Sequence, residues 1–218
     1  MLKSLKRPLA AAACSMLAAC ASPDPVSYKD VASASYLQPN PKDETGHIPY
    51  LYAQPVDWRA YSQAVIDPVE IYRGSDNQFG DVAQEDRAEL ASYMQAEFAK
   101  ALMTRFTLTN RVGPNTLRIK LTLTGADTNT PFLATFTRFD IAGGLYNGVQ
   151  AVRGGEGMMT GSVLYVVELY DGASNRLLEA FVTKQYPGAY NIGAGIGSLA
   201  AAKTGLEKGA AALTEHLR

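Results

Sequence analysis

Long hydrophobic runs are missing from this chain. No stretch of eighteen apolar residues occurs among its 218, so it is not a multi-pass membrane protein. Cysteine is almost absent: Cys14 and Cys20 are too few for a disulfide framework or a four-ligand zinc site. Histidine is as scarce, with His47 and His216 alone, which leaves little scope for metal chemistry. Neither sign of charge dominates, with 20 basic against 21 acidic residues. Without a basic patch to neutralise phosphates, nucleic acid is excluded as a partner. What is present is 47% hydrophobic and 19% charged, with 11 prolines and 19 glycines. That is globular composition, and it rules out a coiled coil, a collagen and disorder throughout.

The first twenty residues carry the sharpest signal. Lys3, Lys6 and Arg7 form a basic start, and Leu9–Ala19 is a short apolar run of small residues. Eleven residues cannot cross a bilayer, which takes about 20, but they fit the apolar region of a secretory signal. The run ends Leu17-Ala18-Ala19-Cys20, which resembles the bacterial lipobox. The expectation is a signal peptide over 1–19, cleavage between Ala19 and Cys20, and lipidation of Cys20. Cys14 fits less well, with Ala11 where the motif has Leu and too little apolar sequence before it. The competing reading is an ordinary soluble secretory signal.

Lipobox proteins carry three acyl chains, palmitate among them. Two or more anchor stably where one is marginal, so the resemblance implies a membrane partner without a transmembrane helix. Removing 1–19 leaves 17 basic and 21 acidic residues. Ala21 and Ser22 follow the Cys, and the lack of Asp there resembles sorting to the outer membrane, facing the periplasm. No thiol would remain, which suits an oxidising compartment.

Residues 21–55 hold six of the eleven prolines and show neither helical nor alternating periodicity. Together with Cys20 they read as an extended, Pro-rich tether over 20–55, able to reach on the order of 100 Å at most. Tyr36-Leu37 and Ile48–Tyr52 are apolar clusters within it, expected to lie against the domain and shorten the free reach.

The domain is expected over 56–218. Gln63–Tyr72 reads as a strand that Pro68 forces to an edge or a bulge. Leu90, Met94, Phe98, Leu102 and Phe106 recur every four residues. They predict an amphipathic helix over 84–105, with Asp81 and Gln84 spaced like a capping box. Leu117, Ile119, Leu121 and Leu123 alternate with polar residues, a strand with one wet face. Val163–Tyr170 is apolar on both faces for most of its length and is placed centrally. Asp171-Gly172 opens a turn, and Leu177–Gln185 returns as the hairpin partner. Residues 131–138 read as one more strand.

From Ile196 the pattern is helical. Leu199, Ala202, Leu206, Leu213 and Leu217 lie on one side; Gly197, Ala201, Gly205 and Gly209 form a small-residue stripe. A helical Gly costs about 1 kcal/mol relative to Ala, so the stripe implies close approach to a sheet. Gly205-x-x-x-Gly209 resembles a membrane dimer motif, but Lys203, Glu207 and Lys208 argue against insertion. The fold class is α+β: a mixed, mostly antiparallel β-sheet covered by two helices, with one face partly open.

No catalytic constellation emerges. Gly195–Ala200 is not a G-x-S-x-G elbow, and Gly193–Gly197 is not a dinucleotide fingerprint and reads as a hinge before the helix. His47 falls in the tether and His216 near the end, both expected to be solvated and neither placed as a general base. Asp67, Glu70, Glu168, Asp171 and Glu179 are scattered. Glu168 and Glu179 lie on adjoining strands, expected as neighbours on an exposed, carboxylate-bearing face. No catalytic residue, metal or cofactor is assigned. Residues 139–161 hold seven of the nineteen glycines, interleaved with apolar residues. They read as a mobile loop that meets a partner through Leu145, Tyr146, Val149, Met158 and Met159.

Four stretches resemble a known family. They are Val56–Tyr61 (VDWRAY) followed by Ile66-Asp67-Pro68-Val69, LASYMQAEFAKAL (90–102), TLRIKLTLTGAD (116–127) and VELYDGASNRLLEAFV (167–182). Over roughly 35–218 the chain resembles a bacterial lipoprotein family catalogued as a domain of unknown function, number thirty-three thirteen. It departs from the family in lacking a Trp-containing motif before the last helix. The family has no assigned catalytic residues, so none carries over. The expected function is a non-enzymatic envelope lipoprotein presenting an α+β module in the periplasm to an envelope protein or other component. The alternative is a ligand-binding lipoprotein or hydrolase using the open sheet face and the 139–161 loop.

Overall fold

A computed structural model describes residues 24–127, 161–187 and 198–218. They form an α+β fold: one mixed, mostly antiparallel eight-stranded sheet and two helices. The strands are β1 (Gln38–Pro39), β2 (Tyr50–Ala53), β3 (Gln63–Ile66), β4 (Glu70–Ile71), β5 (Thr107–Leu108), β6 (Thr116–Ala126), β7 (Val163–Asp171) and β8 (Leu177–Gln185). The order across the sheet is β1-β2-β8-β7-β6-β3-β5, with β4 also on β6. The helices are α1 (Gln84–Leu102) and α2 (Ala200–His216).

The long central strands follow from alternation. β7 lies between β6 and β8, antiparallel to both, and every residue from Gly161 to Leu169 is buried. Its helix-side residues Val163, Tyr165, Val167 and Leu169 join Leu117, Ile119, Leu121 and Leu123 of β6 in the main core. The strand expected over 63–72 is split by Pro68. Ile66 pairs with Ile119 and Glu70 with Thr122, both parallel to β6. Four steps therefore face three, which is a bulge at the residue that has no N–H to donate.

The helices lie side by side and run the same way. Glu89 meets Lys203, Tyr93 bonds Glu207, and Arg105 donates to the Leu217 carbonyl. The predicted stripe holds, with Leu90, Met94, Phe98 and Leu102 fully buried. The capping box does not form: the cap is Ala83, with no side-chain hydrogen bond. α1 also stops at Leu102, and Phe106 is buried beyond it through a turn in which its N–H reaches the Leu102 carbonyl. The small-residue stripe of α2 presses on the sheet. A Cβ on Gly205 would stand 2.9 Å from the Gln185 carbonyl, and one on Gly209 would stand 1.8 Å from the Tyr165 hydroxyl.

The expected tether over 20–55 is corrected from Asp24 onward. Val26, Tyr28, Val31, Ala34 and Leu37 cover the sheet face opposite the helices, packing on Val166, Ala180, Val182 and Tyr72. β2 extends the sheet by pairing with β8. The physical reason is that proline forbids helix, not burial, and the strap fastens its backbone to side chains. Ser33 N–H donates to Glu168 Oε1 at 2.6 Å, Asp30 N–H to the Tyr72 hydroxyl at 3.1 Å, and Lys29 N–H to Asp76 at 3.0 Å. The face expected to be partly open is thus closed over β7 and β8. Among the described residues no helix is long and apolar enough to cross a membrane.

Four positions distant in sequence meet at one end of the sheet. Gln78 Nε2 donates to the Asp24 carbonyl, and Gln78 bridges to Gly125. Ala126 pairs with Val163 and Val163 with Gln185. Asp24, Asp127, Gly161 and Pro187 therefore cluster together. Cys14, Ala19, Cys20, the strand at 131–138, the contact residues Leu145, Tyr146, Val149, Met158 and Met159, and the Gly193–Gly197 run lie outside the described residues.

Candidate functional site

Between α2 and the β1–β2 corner, above β7 and β8, lies a cavity of about 230 Å³. β7 and β8 form its floor through Tyr165, Val167, Phe181 and Thr183, α2 its roof through Gly209, Leu213 and His216, and Ile48 and Leu51 its side wall. The sheet continues past α2 to β2 and β1, and α1 packs on the other flank of α2, so among the described residues no second helix covers this part of the helix-side face. The lining is mainly apolar.

Its polar groups are few and specific. His216 Nε2 lies 2.9 Å from Oε2 of Glu179, whose side chain is 8% exposed. The hydrogen bond to Glu179 raises the His216 pKa, burial opposes it, and the carboxylate charge adds to the rise. The imidazole is held toward its charged form, as half of an ion pair. The Trp58 ring sits 5.9 Å from it. Gln185 donates to the Thr183 hydroxyl at 3.0 Å, and Asn40 to the Ile48 carbonyl at 2.9 Å. The Tyr165 hydroxyl has no hydrogen-bond partner among the described residues, and burial pushes its pKa far up.

The titratable residues picked from sequence go to separate places. Asp67 pairs with Arg118 at 2.8 Å and Glu70 with Lys120 at 3.2 Å. Asp171 caps the β7–β8 turn; its carboxylate accepts from the Ser174 hydroxyl and N–H, which hold its pKa low. Glu168 and Glu179 are not neighbours and not exposed. Ala180 stands opposite Glu168 and Leu169 opposite Glu179, so the two carboxylates point to opposite faces, and both are buried. Of the histidines expected to be solvated, His216 is exposed and His47 is half-buried, but neither is free. His47 stacks on Tyr186 at 4.5 Å and its Nδ1 lies 2.9 Å from the Lys184 carbonyl, while His216 is tied to Glu179. No group of three or more metal-ligating side chains occurs among the described residues. Tyr165 escaped notice as core. His216 was set aside as a chain-end histidine, although Gly209, Leu213 and His216 stand at i, i+4 and i+7 on one helix face, a spacing that could have placed it.

Residues 27–213 match the family described as Protein of unknown function (DUF3313). The chain belongs to this family. The match begins inside the strap, so the family's domain includes it. No curated protein matches the chain by sequence. Among solved structures, the chain is similar to a PelC dodecamer from Paraburkholderia phytofirmans, a point variant crystallised in space group C2, at 12% identity and TM-score 0.38. It is also similar to the PelC dodecamer in space group P6, at 11% identity and TM-score 0.36. In each case 75% of this chain and 94% of the other is covered. Both likenesses are too loose to carry an argument.

Proposed function

We propose that this chain is a lipid-anchored envelope lipoprotein, sorted to the outer membrane and facing the periplasm, that works by binding an envelope component rather than by catalysis. The observation that carries the reading is Leu17-Ala18-Ala19-Cys20 behind Lys3, Lys6 and Arg7. The strap adds a consequence. From Cys20 to Asp24 there are four residue steps, a reach of roughly 14 Å, so the domain is held against the membrane by the end that carries Asp24 and Gln78. Asp127 and Gly161 bound the segment with Leu145, Tyr146, Val149, Met158 and Met159, and they stand at that same end. The proposed partner contacts are therefore tied to the chain on the membrane side.

Cys20→Ala is expected to abolish incorporation of labelled palmitate and leave the precursor uncut. Normal cleavage of that variant at the same site would refute the anchor. A second reading, ligand binding, is favoured by the cavity beside Glu179. Hydrolysis has less support: His216 bonds Glu179 and no hydroxyl among the described residues, so no nucleophile–base pair is assembled.

A further inference from the structure

We propose that the cavity under α2 binds a small neutral amphiphile, with an apolar body of roughly nine heavy atoms and one hydrogen-bond acceptor directed at the Tyr165 hydroxyl. The inference rests on the reading of this protein as a binding module and names the ligand class. Size comes first. A cavity of about 230 Å³ is roughly half again as large as an engineered one that takes benzene. Ile48, Leu51, Val167, Phe181 and Leu213 line it, so an apolar body is favoured over water, which needs two to four polar partners.

The second observation is the hydroxyl. Tyr165 is 1% exposed, lines the cavity, and has no hydrogen bond among the described residues. The hydroxyl is reached from the cavity, where a ligand acceptor can pair it, and space for it is kept by a glycine. A Cβ at Gly209, which also lines the cavity, would stand 1.8 Å from that oxygen. The other polar groups are committed: Thr183 to Gln185, Asn40 to Ile48, Glu179 to His216. Of the polar side chains lining the cavity, the tyrosine alone has no hydrogen bond among the described residues, and as a donor it calls for an acceptor such as an alcohol, ester or amide oxygen.

The third is charge. Glu179 in the cavity wall is already paired with His216, so no unpaired cation lines the cavity among the described residues to offset the desolvation of an anionic headgroup. A medium-chain alcohol, ester or amide fits, and a free fatty acid does not.

The test uses the mature chain from Ala21, which keeps every residue of both cores, with 1-octanol and octanoate as probes at pH 7.5, followed by calorimetry. Octanol is expected to bind saturably at one site, and octanoate at least tenfold more weakly. Tyr165→Phe, which removes the hydroxyl and keeps the ring, should weaken octanol about fivefold, the loss of one neutral hydrogen bond. Ala212→Phe, at the exposed rim of the cavity, should block binding without touching the core. Absence of saturable octanol binding, binding unaffected by Ala212→Phe, equal affinity for octanoate, or an unchanged affinity in Tyr165→Phe would each overturn the proposal. Palmitate labelling of the full chain reports separately on the anchor, so failure of the cavity and failure of the lipoprotein reading are distinguishable.

Discussion

The two faces of the sheet are covered by opposite means. On one, α1 and α2 present regular apolar stripes, satisfy their own backbone and bury Leu90, Met94, Phe98 and Leu206 completely. On the other, the irregular strap from Val26 to Leu37 supplies Tyr28 and Val31, and its N–H groups are satisfied one at a time by Glu168, Tyr72 and Asp76. A helix carries its hydrogen bonds wherever it docks. A strap finds them only in place, so its order depends on the sheet beneath it. The helix side should therefore behave as the cooperative core and the strap side as a unit that opens first.

Adjacent residues of β7 break this comparison most sharply. Val167 faces the helices and Val166 the strap. Val167→Asp puts an unpaired charge into the apolar floor beneath α2, with a cost on the order of 5 kcal/mol, and should leave the chain unfolded by circular dichroism. Stability within about 1 kcal/mol of the parent would contradict the central placement of β7.

Val166→Asp is expected to cost less, about 3 kcal/mol, because the strap can lift and let water reach the charge. Hydrogen exchange should then accelerate across 26–37 while 117–123 stays protected. Equal acceleration in both segments would show that the faces are one cooperative unit.

A third variant sharpens the helix side. Gly209→Ala gains about 1 kcal/mol of helix propensity but drives a methyl into the Tyr165 hydroxyl. A net loss of roughly 1–2 kcal/mol should lower the melting temperature by about 2–6 °C. A melting temperature at or above the parent's would mean that α2 does not press on β7 there.

The smallest effect concerns pH. Glu179 raises the His216 pKa above its unfolded value. The pair therefore contributes fully below about pH 6.5 and its contribution is lost as pH rises through the folded pKa. His216 is 47% exposed, so screening keeps this to no more than about 1 kcal/mol. Urea midpoints of the parent and of His216→Gln should differ more at pH 6 than at pH 9; a constant difference would exclude the linkage.

Much of the fold was legible. The period-four stripe, the alternation of 117–123, the two-faced run at 163–169 and the hairpin return at 177–185 each reflect a local rule that the tertiary structure did not override. The strap was missed because 21–55 obeys no period and is rich in proline. One signal did point to it: Val166, Ala180 and Val182 are apolar on the face away from the helices, so something had to cover them. The spare apolar residues Val26, Tyr28, Val31 and Leu37 were available to do so. Of the candidate site, His216 could be placed on the face of Gly209 and Leu213 by helical spacing alone. Its partner Glu179 could not, because that pairing joins α2 to a strand 37 residues earlier.

The sequence by itself determined the lipobox expectation, the class of fold, the central strands and the faces of both helices, since each depends on neighbours a few residues apart. The tertiary structure alone decided where the proline-rich segment goes, which carboxylates share a face, and that an unpaired tyrosine hydroxyl lines a cavity. Those depend on register across the sheet and on the packing of distant segments, and a one-residue change of register moves a side chain to the other face.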